Sequence, residues 1–201
     1  MTISECSFII AAGERIMRTR DYEKQERIKE AMVRLILREG INGASVAKIA
    51  REAGVSPATI YIYYDSKEAL LSAAFREYSY QSYQYVDRRI RPGMGAAELI
   101  EAIVRGCYAY TVEHAEIFSF VEQCAHCPTL AEYVSQQECC CGIFDLIHQY
   151  QARGLLRRYS DANLAAVLFA PVRFLAMNAK GANPEPQLRE LVAMLQRLLL
   201  P

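Results

Sequence analysis

The chain has 201 residues, of which 52% are hydrophobic and 23% are charged, with 10 glycines and 7 prolines. This composition excludes a disordered chain and a collagen-like repeat. The length excludes a protein of many domains and indicates one sizeable core or two unequal parts. The net charge is zero, but residues 15–91 hold 15 Lys and Arg against 10 Asp and Glu. We therefore expect this part of the chain to approach phosphates and the remainder not to.

Sequence features also bear on the compartment in which the protein works. The longest apolar run, residues 164–177, is interrupted by Pro171 and Arg173, and no Lys or Arg precedes the apolar patch in residues 1–13. Neither a membrane span nor a secretory signal is predicted. Seven cysteines, three of them adjacent at 139–141, are typical of free thiols in a reducing compartment. We expect a cytoplasmic protein without a bound cofactor.

Apolar residues recur at the helical spacing throughout the chain, so the predicted fold class is all α. Five of them, at positions 28, 31, 32, 35 and 36, mark the buried face of a first helix that Gly40 ends. A short helix follows Ser45 and stops at Gly54, and a second begins after Ser56 with Pro57 in its first turn. This pattern predicts a three-helix helix-turn-helix domain over residues 21–66.

Further helices are predicted along the rest of the chain. They are expected at residues 96–112, 114–125, 129–152, 161–179 and 185–199. A connecting helix over 67–91 links the first domain to a C-terminal helical domain over 92–201. Because residues 161–179 and 185–199 carry more apolar surface than a monomer of this size can cover, we expect a homodimer through these two helices.

The second short helix is expected to face DNA. If Ile60 and Tyr64 point inward, residues 57–59 together with Tyr61 and Ile62 lie on the outer surface, where a major groove about 12 Å wide can admit them. The whole stretch from Ser45 to Leu71 reads SVAKIAREAGVSPATIYIYYDSKEALL. Its turn (IAREAGVS), aromatic cluster (IYIYY) and following SKEAL closely resemble the DNA-binding segment of the TetR family of bacterial repressors.

The resemblance covers about 45 residues and implies a function and a set of contacts. The chain is expected to be a ligand-responsive regulator, and no enzyme, that represses transcription by binding a palindromic operator as a dimer. The resemblance implies phosphate contacts for Ser45, Tyr61, Tyr63 and Lys67, and positions at base edges for Ser56, Pro57, Ala58 and Thr59. Thr59 offers a hydroxyl and a methyl group, whereas Ile62 departs from the polar residue common in the family and is assigned no hydrogen bond.

Effector recognition is expected in the C-terminal domain, in a pocket between the helices of residues 96–152. Aromatic side chains and one histidine are the candidates for its lining, although aromatic residues at this spacing more often form plain core. The candidates are Tyr108, Tyr110, Phe118, Phe120, Phe144 and His148. The sequence does not identify the effector.

The cysteines leave alternatives open. Cys124, His126 and Cys127 are weak candidates for a metal site, and a metal-responsive or thiol-redox-responsive regulator of the same fold is the alternative to a ligand-responsive one. Consecutive residues of a helix point about 100° apart, so the cysteines at 139–141 cannot all face one ion. A cysteine-dependent enzyme using His114, His126 or His148 is a more distant rival, since no nucleophile elbow or phosphate loop is present. A second distant rival is a metal or thiol storage protein with an incidental DNA-binding-like module.

Residues 1–20 are an N-terminal extension relative to the family pattern. The stretch 17–20 (Met-Arg-Thr-Arg) forms a basic arm of the kind that adds phosphate or minor-groove contacts. We consider Met17 a candidate for the true start of translation, because the residues before it are apolar and acidic.

Overall fold

The computed structural model describes residues 3–125, 127, 130, 141–178 and 183–201, with side chains described from Asp21 onward and, after the gap, from Ile143. Most of the described residues are helical, and none of them lies in a strand. The helices are α1 Ile3–Gly43, α2 Val46–Ala53, α3 Pro57–Tyr63, α4 Lys67–Asp87, α5 Ala96–Glu113, α6 Ala115–Ala125, α7 Cys141–Ala152, α8 Asp161–Leu168, α9 Ala170–Asn178 and α10 Glu185–Leu199. The predicted all-α fold is confirmed.

The chain divides into two compact units, Met1–Ala74 and Phe75–Pro201. The division falls inside α4, because the first turns of this helix bury Leu70, Leu71 and Ala74 in the N-terminal unit. The sequence had predicted a separate connecting helix that begins at residue 67. None of the described helices is both long and apolar enough to cross a bilayer.

The core of the N-terminal unit follows the predicted pattern. The five apolar positions of α1 at 28, 31, 32, 35 and 36 are at most 1% exposed, and they share the core with Ile49, Ala50 and Ile60. Helix α1 leaves helical geometry at Gly40, where φ is 77°, which is the position at which the sequence predicted its end. Tyr64, which was expected to point inward, is only half-buried, as are Val46 and Val55.

The C-terminal unit is built around α5, which packs against α9 and α10. An ion-pair network between α5 and α10 reinforces this packing: Arg105 donates to both carboxylate oxygens of Glu185 at 3.0 Å and to Glu101 at 2.6 Å. The hydrogen bonds from Arg105 and then from Arg189 lower the pKa of Glu185 to about 2. This carboxylate therefore stays ionised, and the network intact, at neutral pH.

The single helix predicted over 161–179 is wrong, because the chain forms two helices there. Helix α8 ends at Leu168 and α9 begins at Ala170. Pro171 lies in the first turn of α9 and has no N–H to donate to the carbonyl of Val167, so a continuous helix would lose a hydrogen bond there and bring the proline ring against that carbonyl. At this junction the ring of Phe169 packs edge-on against Phe144, with centroids 6.2 Å apart.

Candidate nucleic-acid interface

The helix-turn-helix is shaped by caps that its own sequence supplies. The Ser45 hydroxyl accepts the backbone N–H of Lys48 at 3.4 Å and begins α2. Gly54 ends that helix with φ 68°, in the left-handed region that favours glycine. The Ser56 hydroxyl then accepts the N–H of Thr59 at 3.2 Å and begins α3, with Pro57 in the first turn. Because these signals are local, the turn follows from residues 45–57 themselves.

The orientation of α3 is set by one buried side chain. Ile60 is fully buried against the rest of the unit, and the residues on the opposite side of α3 face solvent. Ser56, Pro57 and Ala58 are exposed, as is Tyr61. The predicted base-edge residues and Tyr61 therefore lie on the outer surface, with Thr59 half-buried beside them.

Two of the predicted phosphate contacts have partners inside the unit. The Tyr63 hydroxyl donates to a carboxylate oxygen of Asp21 on α1 at 2.9 Å, and burial, followed by this carboxylate, raises the pKa of Tyr63. The Lys67 ammonium donates to the carbonyls of Ile41 and Ala44 at 3.3 Å each. Since an ammonium has three donors, Lys67 retains one for a phosphate while it fixes the end of α1.

Arg51 is a further cation beside the turn, and the sequence analysis gave it no role. Arg51 is exposed in the last turn of α2, and within the described residues it forms no ion pair. Its neighbours differ: Lys48 is paired with Glu39 at 2.6 Å, and Arg38 with Glu52 at 3.0 Å. Its position three residues before the turn glycine is the sequence feature that could have identified Arg51 as a candidate residue of the interface.

The C-terminal unit contains a cavity of about 190 Å³ bordered by α4, α5, α6, α7 and α9. Its walls are mostly apolar or aromatic. The lining residues are Ser82, Tyr83, Val86, Cys107, Tyr110, Thr111, Phe118, Val121, Ile143, Phe169, Val172 and Arg173. Of the residues proposed from the sequence, Tyr110 and Phe118 line this cavity.

The other sequence candidates lie elsewhere. Phe120 is buried in the core against Tyr78. The ring of Phe144 packs against Phe169, and Phe144 and Tyr108 both pack against the hydrophobic core. His148 forms a 2.7 Å contact with Asp161 on α8. Helical spacing placed all these side chains on helices correctly but did not determine which of them face one cavity.

The polar groups that line the cavity have partners within the unit. Thr111 donates to the carbonyl of Cys107 at 2.8 Å, and Ser82 to that of Ser79 at the same distance. Arg173 forms an ion pair with Glu122. An apolar interior with satisfied polar groups favours a ligand that is itself largely apolar.

Three cysteine side chains are described, and they are free thiols: Cys124 is buried, and Cys107 is half-buried at the cavity wall. Burial raises the pKa of Cys107 and of Cys124 to about 12, so neither is a thiolate at neutral pH. Cys127 is also buried, whereas His126 and the cysteines at 139 and 140 lie outside the described residues. Among the residues that are described, no three His, Cys, Asp or Glu side chains come together as a metal-ion site.

Comparisons with known proteins agree with this geometry. The sequence model of the family described as "Bacterial regulatory proteins, tetR family" matches residues 28–74. An uncharacterized HTH-type transcriptional regulator of Haemophilus influenzae is 27% identical over 165 residues, which are 82% of this chain and 87% of the relative.

Solved structures extend the similarity over both units. A TetR family transcription regulator from Marinobacter aquaeolei VT8 has a TM-score of 0.79 and 26% identity, with 91% of this chain and 98% of that chain covered. A TetR-family regulator from Haemophilus influenzae Rd has a TM-score of 0.76 and 25% identity, with 90% and 98% covered.

Proposed function

This chain belongs to the TetR family of bacterial regulatory proteins, and from that premise we propose that it is a repressor that binds a palindromic operator as a homodimer and releases it on binding a small apolar effector. The observation that carries the proposal is α3, whose outer side is free of its own unit while Ile60 anchors the inner side. Its relatives are transcriptional regulators rather than enzymes. With chromosomal DNA as its proposed partner, the protein is expected to act in the bacterial cytoplasm.

Dimer formation is supported by apolar side chains left in solvent on α9 and α10. Phe174 and Met177 are 67% and 53% exposed on α9, and Met194 and Leu198 are 61% and 40% exposed on α10. Residues three or four apart share one side of a helix, so each helix has an apolar side without a partner in the described chain. A dimer with a two-fold axis through this surface has two copies of α3. In dimeric helix-turn-helix proteins, the two recognition helices read half-sites about 34–36 Å apart in successive major grooves.

An effector would act through the cavity of the C-terminal unit. An apolar cavity of about 150 Å³ in another protein holds benzene, so 190 Å³ suits a compact aromatic or branched aliphatic molecule. The ligand would favour a dimer in which the spacing of the two α3 helices no longer fits the operator. Because coupling between binding sites is reciprocal, operator DNA should weaken effector binding by the same factor.

The first prediction separates specific from general DNA contacts. In gel shifts at fixed salt with the DNA upstream of its own gene, Thr59→Ala is expected to lose discrimination against random DNA by about 1–3 kcal/mol, since it removes groups at a base edge. Lys67→Ala is expected to weaken binding to both DNAs alike, because a phosphate contact carries no sequence information. Equal losses for the two variants on both DNAs would contradict these roles.

The second prediction concerns the cavity. Val121→Phe fills part of it, whereas Val112→Phe adds the same atoms to a side chain that is 52% exposed on α5. With 1-aminonaphthalene as a fluorescent probe, we expect saturable binding to the wild type and to Val112→Phe, and at least a tenfold loss for Val121→Phe. Equal binding by the two variants would place the probe outside this cavity.

A further inference from the structure

The outward ridge of α3 is apolar. Residues i and i+4 share one side of a helix, and Ala58 and Ile62 lie on the side opposite the fully buried Ile60. Ile62 is 76% exposed, more than any other large hydrophobic side chain that the structure describes. Ala58, one turn earlier, is exposed as well. Neither side chain carries a polar atom, so this ridge cannot hydrogen-bond to a base.

Three of the hydroxyl groups at or on the same helix already have partners within the unit. The hydroxyls of Ser56 and Thr59 form a 2.9 Å hydrogen bond, and Ser56 also caps the N–H of Thr59. The Tyr63 hydroxyl donates to Asp21. These contacts occupy part of the hydrogen-bonding capacity of the three hydroxyls, whereas apolar contact from Ile62 requires no rearrangement.

We propose that Ile62, with Ala58 beside it, selects thymine by packing against its 5-methyl group. This inference rests on the proposed function, in which the outer side of α3 enters the major groove. Thymine is the base that presents a methyl group there, while adenine, guanine and cytosine present hydrogen-bonding atoms. Ile62 is thus a specificity-determining residue, and the operator half-site carries a thymine where this side chain meets the base pairs.

The test removes only the methyl group. Duplexes that bind the full-length protein are first enriched from a random-sequence library, and single thymines are then replaced by deoxyuridine, which pairs identically but lacks the methyl. Loss of one buried methyl contact weakens binding by about fourfold. We expect such a loss for the wild type at one or two thymines of each half-site, and no difference between thymine and uracil for Ile62→Ala.

Controls separate the failure of this inference from the failure of the proposed function. Val112→Ala shortens another exposed aliphatic side chain and should keep the sensitivity to uracil. Ile62→Ala should keep its helical circular dichroism, since the side chain is mostly in solvent. If no duplex is enriched, both proposals are overturned. If duplexes are enriched but no uracil weakens binding, or Ile62→Ala remains sensitive to it, the regulator stands and the thymine contact is overturned.

Discussion

Phe174→Glu is expected to produce a monomer that binds the enriched duplex at least about 100-fold more weakly than the wild type. Phe174 is 67% exposed on α9 in the single chain and would be buried in the dimer. In the variant, a glutamate carboxylate would be buried in this apolar interface instead, which costs much free energy. A monomer reads one half-site, and loss of the linked second contact removes an avidity of about 10²–10⁴. Sedimentation velocity measures the state of association, and gel shifts measure the affinity.

The matched control for this variant is Val112→Glu, which places the same charge at another exposed apolar position. It is expected to remain dimeric and to bind the duplex normally. A dimeric Phe174→Glu would show that α9 does not form the interface. A monomeric variant with full affinity would show instead that one copy of α3 is sufficient for binding.

The second large effect is expected for Ile60→Ala, which should lower the free energy of unfolding of the N-terminal unit by about 2–5 kcal/mol. Ile60 is 0% exposed and anchors α3 to the rest of the unit, so its truncation leaves a cavity where the helix is held. Urea denaturation followed by circular dichroism measures the change, with specific DNA binding lost in parallel.

Ile62→Ala provides the comparison, because it removes the same atoms two residues further along the same helix. Its side chain is 76% exposed, so the expected change in stability is within about 0.5 kcal/mol. The two variants therefore separate stability from recognition. Equal destabilisation by both would contradict the orientation of α3 described above.

The N-terminal unit could be predicted in detail because its signals are local. A serine before each short helix accepts an N–H three residues later, and Gly54 is followed by Val55 at a turn that needs a positive φ. The spacing of Ile28 to Ile36 fixed the buried side of α1. These features depend on neighbours along the chain, so periodicity and residue type suffice to identify them.

Contacts between distant residues were beyond such reasoning. The Tyr63–Asp21 hydrogen bond joins residues 42 positions apart, and Lys67 donates to carbonyls at positions 41 and 44. In the second unit, the same aromatic spacing put Tyr110 and Phe118 on the cavity wall and His148 beside Asp161. Which side of a helix meets which neighbour depends on packing that no short window contains.

The sequence by itself determined the helical class, the caps and turn of residues 45–57 and the family resemblance, because each depends on interactions within a few residues. Only the tertiary structure decided which side chains enclose the cavity and how far Ile62 projects from α3. These depend on the close packing of side chains that are far apart in the chain, where one helix fixes the burial of another.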